Sequence, residues 1–228
     1  MPTLILARHG QSQWNLENRF TGWWDVDLTE QGVEEALRAG RQLKAKGYEP
    51  VRCFTSVLTR AIRTLHLALY EMDRLYLPVV KDWRLNERHY GGLTGLNKQE
   101  MRDKVGEEQV HIWRRSFDTP PPAQEEDDKF RMDSDPRYAG IDIPTTESLK
   151  DTIARVLPYY EEAIVPHLRK GETVMVSAHG NSLRALVKHL SGISDEDISG
   201  LEIPTGRPMI YKLDDDLNEV RRSYVDED

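Results

Sequence analysis

The sequence predicts an α/β protein of three layers, in which a mainly parallel central sheet is flanked by helices. Short apolar runs of strand length alternate with stretches whose apolar residues recur at helical spacing. The run 173–178 is almost continuously apolar, which is typical of a central strand buried on both faces. Alternation of strands with helices along most of a chain is the usual signature of a parallel sheet covered by helices.

The first half of the chain supplies three predicted strands and two long predicted helices. Thr29 is a suitable N-cap for the first helix, and Gly47 suits its end. Both helices carry an apolar face that would pack on the sheet. We expect strands at 4–7, 51–54 and 78–80, and helices at 30–46 and 57–72.

The middle of the chain differs in character. Two short helical patterns, 98–104 and 107–115, precede a segment at 117–146 that holds five of the twelve prolines and an acidic run. Without apolar periodicity, this segment is interpreted as an ordered or semi-ordered insertion and not as part of the core. An interdomain linker is the alternative. Because strand–helix alternation resumes afterwards, we expect a single domain over 1–228.

The second half begins with the longest amphipathic pattern, which predicts a helix over 149–168. Pro158 and Pro166 should bend or interrupt it. The central strand 173–178 follows, and then a predicted helix at 182–190. Two further patterns, 209–213 and 219–224, are expected to form closing edge strands of the sheet.

Composition limits the function classes. Lys and Arg total 31 against 39 Asp and Glu, which gives a formal charge of −8 and a pI near 5.5. The chain therefore lacks the overall basic character expected of proteins that bind nucleic acid or anionic membranes. A single cysteine, Cys53, excludes an internal disulfide. No apolar run reaches the ~18 residues of a membrane span, and no basic leader is present, so a cytoplasmic location is expected.

Two predicted strands end in the same way, with His9-Gly10 and with His179-Gly180. Functional groups collect at the carboxyl ends of parallel strands, where loops meet helix N-termini. A single histidine in such a position is more often structural, but two at matched positions favour a functional site. A glycine lets the backbone approach a ligand, and nearby helix N-termini favour an anion such as phosphate.

Charged residues near these histidines point to the same chemistry. Arg8 precedes His9, and Arg60 lies near the start of the second long helix. A guanidinium binds phosphate oxygens bidentately and stabilises charge on a phosphoryl group in transfer. Glu87 follows a predicted strand and has the chemistry of a general acid–base. Taken singly, Arg60 and Glu87 would each be interpreted as surface residues.

Longer motifs carry a resemblance to a known family over nearly the whole chain. The motifs are LARHGQSQWN at 6–15, NRFTGW at 18–23, DVDLT at 25–29, TSVLTRA at 55–61, ERHYGGL at 87–93, GLNK at 95–98, WRR at 113–115 and AHGNSLR at 178–184. With these motifs the chain resembles the cofactor-dependent phosphoglycerate mutases of the histidine phosphatase superfamily. Arg-His-Gly alone is typical only of the superfamily, whereas the long first motif, the motif at 87–93 and the paired arginines are specific to the mutases.

The resemblance implies a role for each matched residue. His9 would be the nucleophile that becomes phosphohistidine, His179 would assist at the phosphoryl group, and Glu87 would move the proton. Arg8 and Arg60 would complete the catalytic set. The substrate-binding residues implied are Arg8, His9, Gly10, Gln11, Ser12, Gln13, Trp14, Asn15, Thr21, Gly22, Arg60, Glu87, Arg88, His89, Tyr90, Lys98, Arg114, Arg115, Gly180 and Asn181.

The resemblance also implies the reaction and its requirements. The expected activity is interconversion of 3-phosphoglycerate and 2-phosphoglycerate in glycolysis and gluconeogenesis, with 2,3-bisphosphoglycerate as the primer of the phosphoenzyme and no metal. Members of the family commonly form homodimers or dimers of dimers. Neighbouring arginines should disfavour protonation of His9, which must be neutral to attack.

Two departures from the family pattern bear on the activity. Gln11 stands where many relatives have Glu, which removes a negative charge beside the phosphate site. Only fifteen residues follow Leu213, whereas many relatives carry a longer tail thought to shield the phosphoenzyme, so more hydrolysis is expected here.

Three alternatives remain open at this point. A phosphatase of the same superfamily would not need to bind the far end of a substrate, which argues against it because Tyr90, Lys98, Arg114 and Arg115 are all present. A metallohydrolase using the two histidines lacks a clustered ligand motif. A catalytically inactive relative would be expected to lack some of the residues named, and all of them are present.

Overall fold

A six-stranded sheet forms the centre of the computed structural model, which describes residues 1–227. The spatial order is β3-β2-β4-β1-β5-β6; the first four of these are parallel, and β5 and β6 are antiparallel. The predicted α/β class with a mainly parallel sheet is confirmed. The strands are β1 (Thr3–Arg8), β2 (Arg52–Thr55), β3 (Val79–Lys81), β4 (Thr173–Ala178), β5 (Met209–Leu213) and β6 (Glu219–Tyr224).

The position predicted for the strand at 209–213 was wrong. β5 is not an edge strand, because it lies between β1 and β6 and its Tyr211 is fully buried. The edges of the sheet are β3 and β6. The apolar character of β5 reflects this inner position, and the more polar β6 pairs with it as a hairpin that covers it.

Helices cover both faces of the sheet. On one face Ile5 of β1 and Met175 of β4 pack against Leu65 in a core formed with α2 and α3. On the other, Leu6 and Val176 pack against α6, α7 and α8. The alternation of side chains along each strand thus produces the three layers. The helices are α1 (Gln13–Leu16), α2 (Glu30–Ala45), α3 (Thr59–Glu71), α4 (Lys98–Val105), α5 (Glu107–Arg115), α6 (Leu149–Tyr159), α7 (Val165–Leu168) and α8 (Gly180–Leu190).

Helix ends follow their local sequence. The Thr29 side chain accepts a hydrogen bond from the Gly32 backbone and caps α2 as predicted. The predicted helix over 149–168 is interrupted by a π-helical turn at Tyr160–Ile164, directly before the short helix that contains Pro166. Proline lacks the N–H that would bond to the preceding turn, which favours such a break. α8 begins at Gly180, two residues earlier than predicted, with His179 as its N-cap.

The segment 117–146 contains one short 3-10 turn, Pro136–Tyr138, and otherwise irregular backbone. It is anchored by the Gly92 amide, which donates to Pro122 O at 2.8 Å. Tyr138 is buried against Trp23, with ring centroids 5.0 Å apart. The segment therefore packs beside the loop that follows β3. The assignment of the chain to a single domain with an insertion here stays a prediction.

Within residues 1–227, no helix is both long enough and apolar enough to cross a lipid bilayer.

Candidate active site

Strand pairing brings the two histidines together. β1 and β4 are adjacent and parallel, with Arg8 opposite Ala178, and the His9 amide donates to Ala178 O at 3.1 Å. The imidazole rings of His9 and His179 have centroids 5.0 Å apart, and the two residues are 2% and 0% exposed. Two motifs 170 residues apart in the chain therefore form one site at the carboxyl edge of the sheet.

His9 is arranged as a nucleophile. Its Nδ1 lies 2.7 Å from Gly10 O, and because a carbonyl only accepts, Nδ1 carries the hydrogen. The lone pair is then on Nε2. Burial, reinforced by the charges of Arg60 and Arg8, holds the pKa of His9 well below its ordinary value. The imidazole is therefore neutral at physiological pH, as the sequence predicted.

His179 is held by a serine. Ser56 Oγ lies 2.7 Å from His179 Nε2 and accepts a hydrogen bond from the Leu58 amide at 3.2 Å. A serine oxygen can donate its own hydrogen or accept a second hydrogen bond, so this contact fits either tautomer of the His179 imidazole. His179 Nδ1 is buried and has no hydrogen-bond partner among residues 1–227. Burial, followed by Arg60 and His9, lowers the pKa of His179 well below its ordinary value.

The loop after β1 depends on a glycine–glycine contact. A Cβ on Gly10 would lie 2.2 Å from Gly32 O, and a Cβ on Gly32 would lie 2.0 Å from Gln11 O. The catalytic loop and the first turn of α2 thus touch backbone to backbone. The Gly10 amide also donates to Thr64 Oγ1 at 3.0 Å, and the Thr64 hydroxyl donates to Arg60 O at 2.8 Å. The loop is consequently fixed against both α2 and α3.

Arg60 is a buried cation beside the histidines. It is 1% exposed, and its guanidinium donates to Gly22 O at 2.7 Å and Trp24 O at 3.0 Å. Burial lowers the pKa of Arg60 to about 10, which still leaves it charged at neutral pH. The 22–25 loop is in turn fastened to α3 by Asp25, whose carboxylate accepts from the Thr59 amide and hydroxyl at 2.8 Å each.

Glu87 has one engaged and one free carboxylate oxygen. Its Oε1 accepts from the Arg88 amide at 2.7 Å and from the Asn181 amide at 3.1 Å. Its Oε2 takes part in none of the hydrogen bonds found within residues 1–227. A side chain at Gly180 would place its Cβ 3.6 Å from both this oxygen and Arg8 Nε, so a glycine keeps the space between them open. Glu87 is thereby oriented with one oxygen available for proton transfer.

Residues from α4 and α5 complete the site on its outer side. Burial, together with Arg114, lowers the pKa of Lys98 to about 8. Burial would raise the pKa of Tyr90, but Arg88 and Lys98 lower it to about 8. Arg115 forms an ion pair with Glu202, a residue whose side chain is 67% exposed. This outer side is more open to solvent than the histidine pair.

These residues surround a cavity of about 120 Å³. Seven cationic side chains and two carboxylates line it, and Arg8 Nε is a buried donor without an acceptor among residues 1–227. The cavity is therefore suited to a small, multiply charged anion. Its lining consists of Arg8, His9, Asn15, Arg19, Phe20, Thr21, Gly22, Arg60, Glu87, Tyr90, Lys98, Arg114, Arg115, Gly180, Asn181, Arg184, Glu202 and Ile203.

Most of the residues predicted from the sequence line this cavity, but some do not. Gln13 is exposed on α1, and Trp14 packs beneath Arg19, whose guanidinium lies 4.7 Å from the indole centroid. Arg88 is wholly buried and donates to Arg114 O at 2.9 Å. His179 is fully buried next to His9 and does not line the cavity. The predicted residues outside the lining are Gly10, Gln11, Ser12, Gln13, Trp14, Arg88, His89 and His179.

Five lining residues were not predicted: Arg19, Phe20, Arg184, Glu202 and Ile203. Arg19 and Phe20 lie inside a motif that the sequence analysis identified. Arg184 is four residues after Gly180, which puts it on the same face of α8, where it donates to Asn181 Oδ1 at 2.8 Å. Glu202 and Ile203 come from a loop that carries no sequence signal for the site.

Within residues 1–227, no group of three or more His, Cys, Asp or Glu side chains is arranged to hold a metal ion.

Comparisons with known proteins agree with the motifs. Residues 4–136 and 124–226 match the model of the histidine phosphatase superfamily, branch 1. The chain is 72% identical to a 2,3-bisphosphoglycerate-dependent phosphoglycerate mutase of Erythrobacter litoralis, over 99% of each chain, and 70% identical to one of Sphingopyxis alaskensis, over the full length of both. Among solved structures, YhfR of Bacillus stearothermophilus superposes with a TM-score of 0.72 at 26% identity, covering 94% of this chain and 92% of that one.

Proposed function

The chain belongs to the 2,3-bisphosphoglycerate-dependent phosphoglycerate mutases of the histidine phosphatase superfamily, and from this premise we propose that it interconverts 3-phosphoglycerate and 2-phosphoglycerate through a phosphohistidine at His9. The observation that carries the proposal is a neutral, buried imidazole with its Nε2 lone pair free, next to a cavity lined by seven cations. A nucleophile of this kind splits one difficult transfer into two easier ones.

The first step phosphorylates the enzyme. His9 Nε2 attacks phosphorus, the bond from phosphorus to the glycerate oxygen breaks, and that oxygen departs with a proton from Glu87. Arg8 and Arg60 stabilise the charge on the equatorial oxygens in the transition state, which is the main task of a protein in phosphoryl transfer. His179, whose ring centroid lies 5.0 Å from that of His9, would assist at the same phosphoryl group.

The second step reverses the roles. Glu87, now ionised, removes the proton from the other hydroxyl of the glycerate, and that oxygen attacks the phosphorus on His9. Oε2 is the oxygen that carries this proton, because Oε1 accepts two backbone hydrogen bonds. One carboxyl group therefore acts in turn as general acid and general base, as microscopic reversibility requires.

The outer residues would hold the rest of the substrate. Lys98, Arg114 and Arg115 can meet the carboxylate and the second phosphate of a bisphosphorylated glycerate, and Tyr90 and Asn181 supply neutral donors. The free buried Nε of Arg8 and the excess of cations fit 2,3-bisphosphoglycerate as the primer. When bound, it supplies the phosphoryl group that first loads His9.

The experiment that tests the proposal is conversion of 3-phosphoglycerate to 2-phosphoglycerate coupled to enolase. It is run with and without 2,3-bisphosphoglycerate, and with EDTA added to the mutase before the coupling step. Conversion that requires the bisphosphate and is unaffected by the chelator supports the phosphohistidine mutase. Phosphate release without isomerisation would contradict it and identify a phosphatase, and inhibition by EDTA would identify a metal-dependent enzyme.

We further propose that the chain acts in the cytoplasm as a homodimer or a dimer of dimers. β3 is an open edge of the sheet with Val80 exposed, and Tyr70 and Tyr76 nearby in sequence are exposed by 63% and 74%. An exposed strand edge with apolar neighbours is a common place for association. Sedimentation analysis of the purified protein measures the oligomeric state, and a monomer at micromolar concentration would contradict the proposed assembly.

A further inference from the structure

A buried ion pair lies behind the loop that carries Glu87. Arg155 in α6 and Glu147 just before it have side chains only 8% and 5% exposed. The pair is bidentate, with Arg155 Nε donating to Glu147 Oε1 at 2.7 Å and Arg155 Nη2 donating to Glu147 Oε2 at 2.8 Å. Neither residue lines the cavity, so neither is in position to touch a substrate.

The remaining hydrogen atoms of the Arg155 guanidinium are directed at the loop that carries Glu87. Arg155 Nη1 donates to Arg84 O at 2.8 Å and to Asn86 O at 3.0 Å, and Arg155 Nη2 donates to Glu87 O at 2.9 Å. One planar group thus fixes three carbonyls within four consecutive residues, the last of them belonging to Glu87 itself.

Glu147 holds the other end of the same loop. Its Oε2 accepts from the His89 amide at 2.8 Å, and its own amide donates to His89 O at 2.9 Å. Asn86 is held from the opposite side by its side chain, which accepts from the Val57 amide at 3.3 Å and donates to the Tyr138 hydroxyl at 2.9 Å. The peptide groups on both sides of Glu87 are consequently tied to buried partners.

Stability alone is a weak reason for such a pair. Removing two charges from water costs about as much as their attraction returns, and well-packed apolar residues often serve a fold equally well. An arginine differs from any apolar residue, and from lysine, in offering five donors in one rigid fork. That fork matches the carboxylate of Glu147 and the carbonyls of the 84–89 loop. The backbone position of this loop decides where the Glu87 carboxyl lies.

We propose that Arg155 and Glu147 are positioning residues for Glu87: they hold the 84–89 loop so that Glu87 Oε2 meets the departing and attacking oxygens of the substrate. This inference rests on the proposed function, in which Glu87 moves the proton. Its consequence is specific, because only leaving groups that need a proton depend on the exact place of that carboxyl.

The test compares two phosphoryl donors in single-turnover phosphorylation of His9 at saturating donor. From 2,3-bisphosphoglycerate, the phosphorus–oxygen bond breaks to release an alkoxide that needs a proton from Glu87. From p-nitrophenyl phosphate, the same bond breaks to release nitrophenolate, which is stable as an anion and needs none. The variants are Arg155→Lys and Glu147→Gln, with Glu87→Gln as the reference for loss of the acid.

Arg84→Met is the matched control. Arg84 lies on the same loop and forms ion pairs with Asp82 and Glu162, but its side chain makes none of the contacts that hold residues 86–89. Its phosphorylation rates with both donors should match those of wild type. Thermal melting of every variant determines whether it is folded at the assay temperature.

In Arg155→Lys we expect the rate with 2,3-bisphosphoglycerate to fall about 100-fold while the rate with p-nitrophenyl phosphate stays close to wild type. Glu147→Gln should show the same selectivity with a smaller loss, and Glu87→Gln a larger one. An equal loss with both donors, no loss, or failure of both pair variants to fold would overturn the inference. If wild type does not convert 3-phosphoglycerate at all, it is the proposed function that fails.

Discussion

The inner and outer parts of the site are built in different ways. The inner group, formed by Arg8, His9, Arg60, Glu87 and His179, lies at the carboxyl ends of β1 and β4 and in the elements packed on them. The outer group, formed by Lys98, Arg114 and Arg115, is partly exposed and comes from two short helices, α4 and α5. The buried residue of α5, Val110, packs with Phe20 and Leu93 in a cluster separate from the two cores on the sheet. In the proposed mechanism the chemical steps therefore fall to buried residues on the sheet and the elements packed against it, and substrate recognition falls to more exposed residues.

The largest effect should come from the centre of the inner group. In His9→Ala no phosphoenzyme forms, because the lone pair that attacks phosphorus is gone, and turnover should fall by about 10⁴-fold or more. Incubation with phosphate-labelled 2,3-bisphosphoglycerate, followed by isolation of the protein, measures this. His66→Ala, at an exposed position on α3, is the control. Label still bound to histidine in His9→Ala would contradict the assignment.

The next effect tests whether the inner group acts on the transition state. Arg60→Lys keeps the charge but loses the two-pronged geometry, so kcat should fall about 100-fold with little change in KM. Arg63→Lys, three residues along the same helix and half-exposed in a pair with Asp27, should leave both constants unchanged. A rise in KM with kcat preserved would place Arg60 in the outer group and contradict the proposed division of roles between the two groups.

A smaller effect with the opposite signature is expected from the outer group. Lys98→Met removes one charged contact to the substrate, typically ~1.5–3 kcal/mol, so KM should rise about 10- to 100-fold with kcat within a few-fold of wild type. Lys104→Met on the same helix is the exposed control. Steady-state kinetics with 3-phosphoglycerate separates the constants, and a fall in kcat alone would show that Lys98 takes part in the chemistry.

The mildest test varies pH alone. As pH rises through about 8, Lys98 loses its positive charge and Tyr90 gains a negative one, so both changes make the cavity less favourable for an anion. The substrate phosphate, with a second pKa near ~6, is already dianionic. KM should therefore rise by several-fold between about pH 7 and about pH 9. Lys98→Arg should reduce the rise, and an unchanged profile in that variant would exclude Lys98 as its cause.

Sequence predicted the inner group better than the outer one for a physical reason. The end of a buried strand is marked by its apolar run, and paired strands must bring such ends together, so His9 and His179 could be matched before the structure. The mutase family predicted from the motifs is likewise confirmed by relatives at 70–72% identity.

The remaining details depend on contacts that leave no local signal. Glu202 reaches the cavity from a loop with no periodicity, and Arg155 is an ordinary helix residue in the sequence. The inner position of β5 was also missed, because chain order does not state which strand a hairpin will pair with. Whether Gln11, Ser12 or Arg88 touches the substrate stays a prediction.

The contact between Gly10 and Gly32 sets a limit on protein engineering. Replacing a glycine in a helix by alanine is a routine way to raise thermal tolerance, since it reduces the freedom of the unfolded chain. At Gly32 the added methyl group would lie 2.0 Å from Gln11 O and would push on the loop that presents His9. A consensus or automated stabilisation scheme that treats Gly32 as a defect of α2 would then exchange activity for heat resistance, at a position 23 residues from the nucleophile it disturbs.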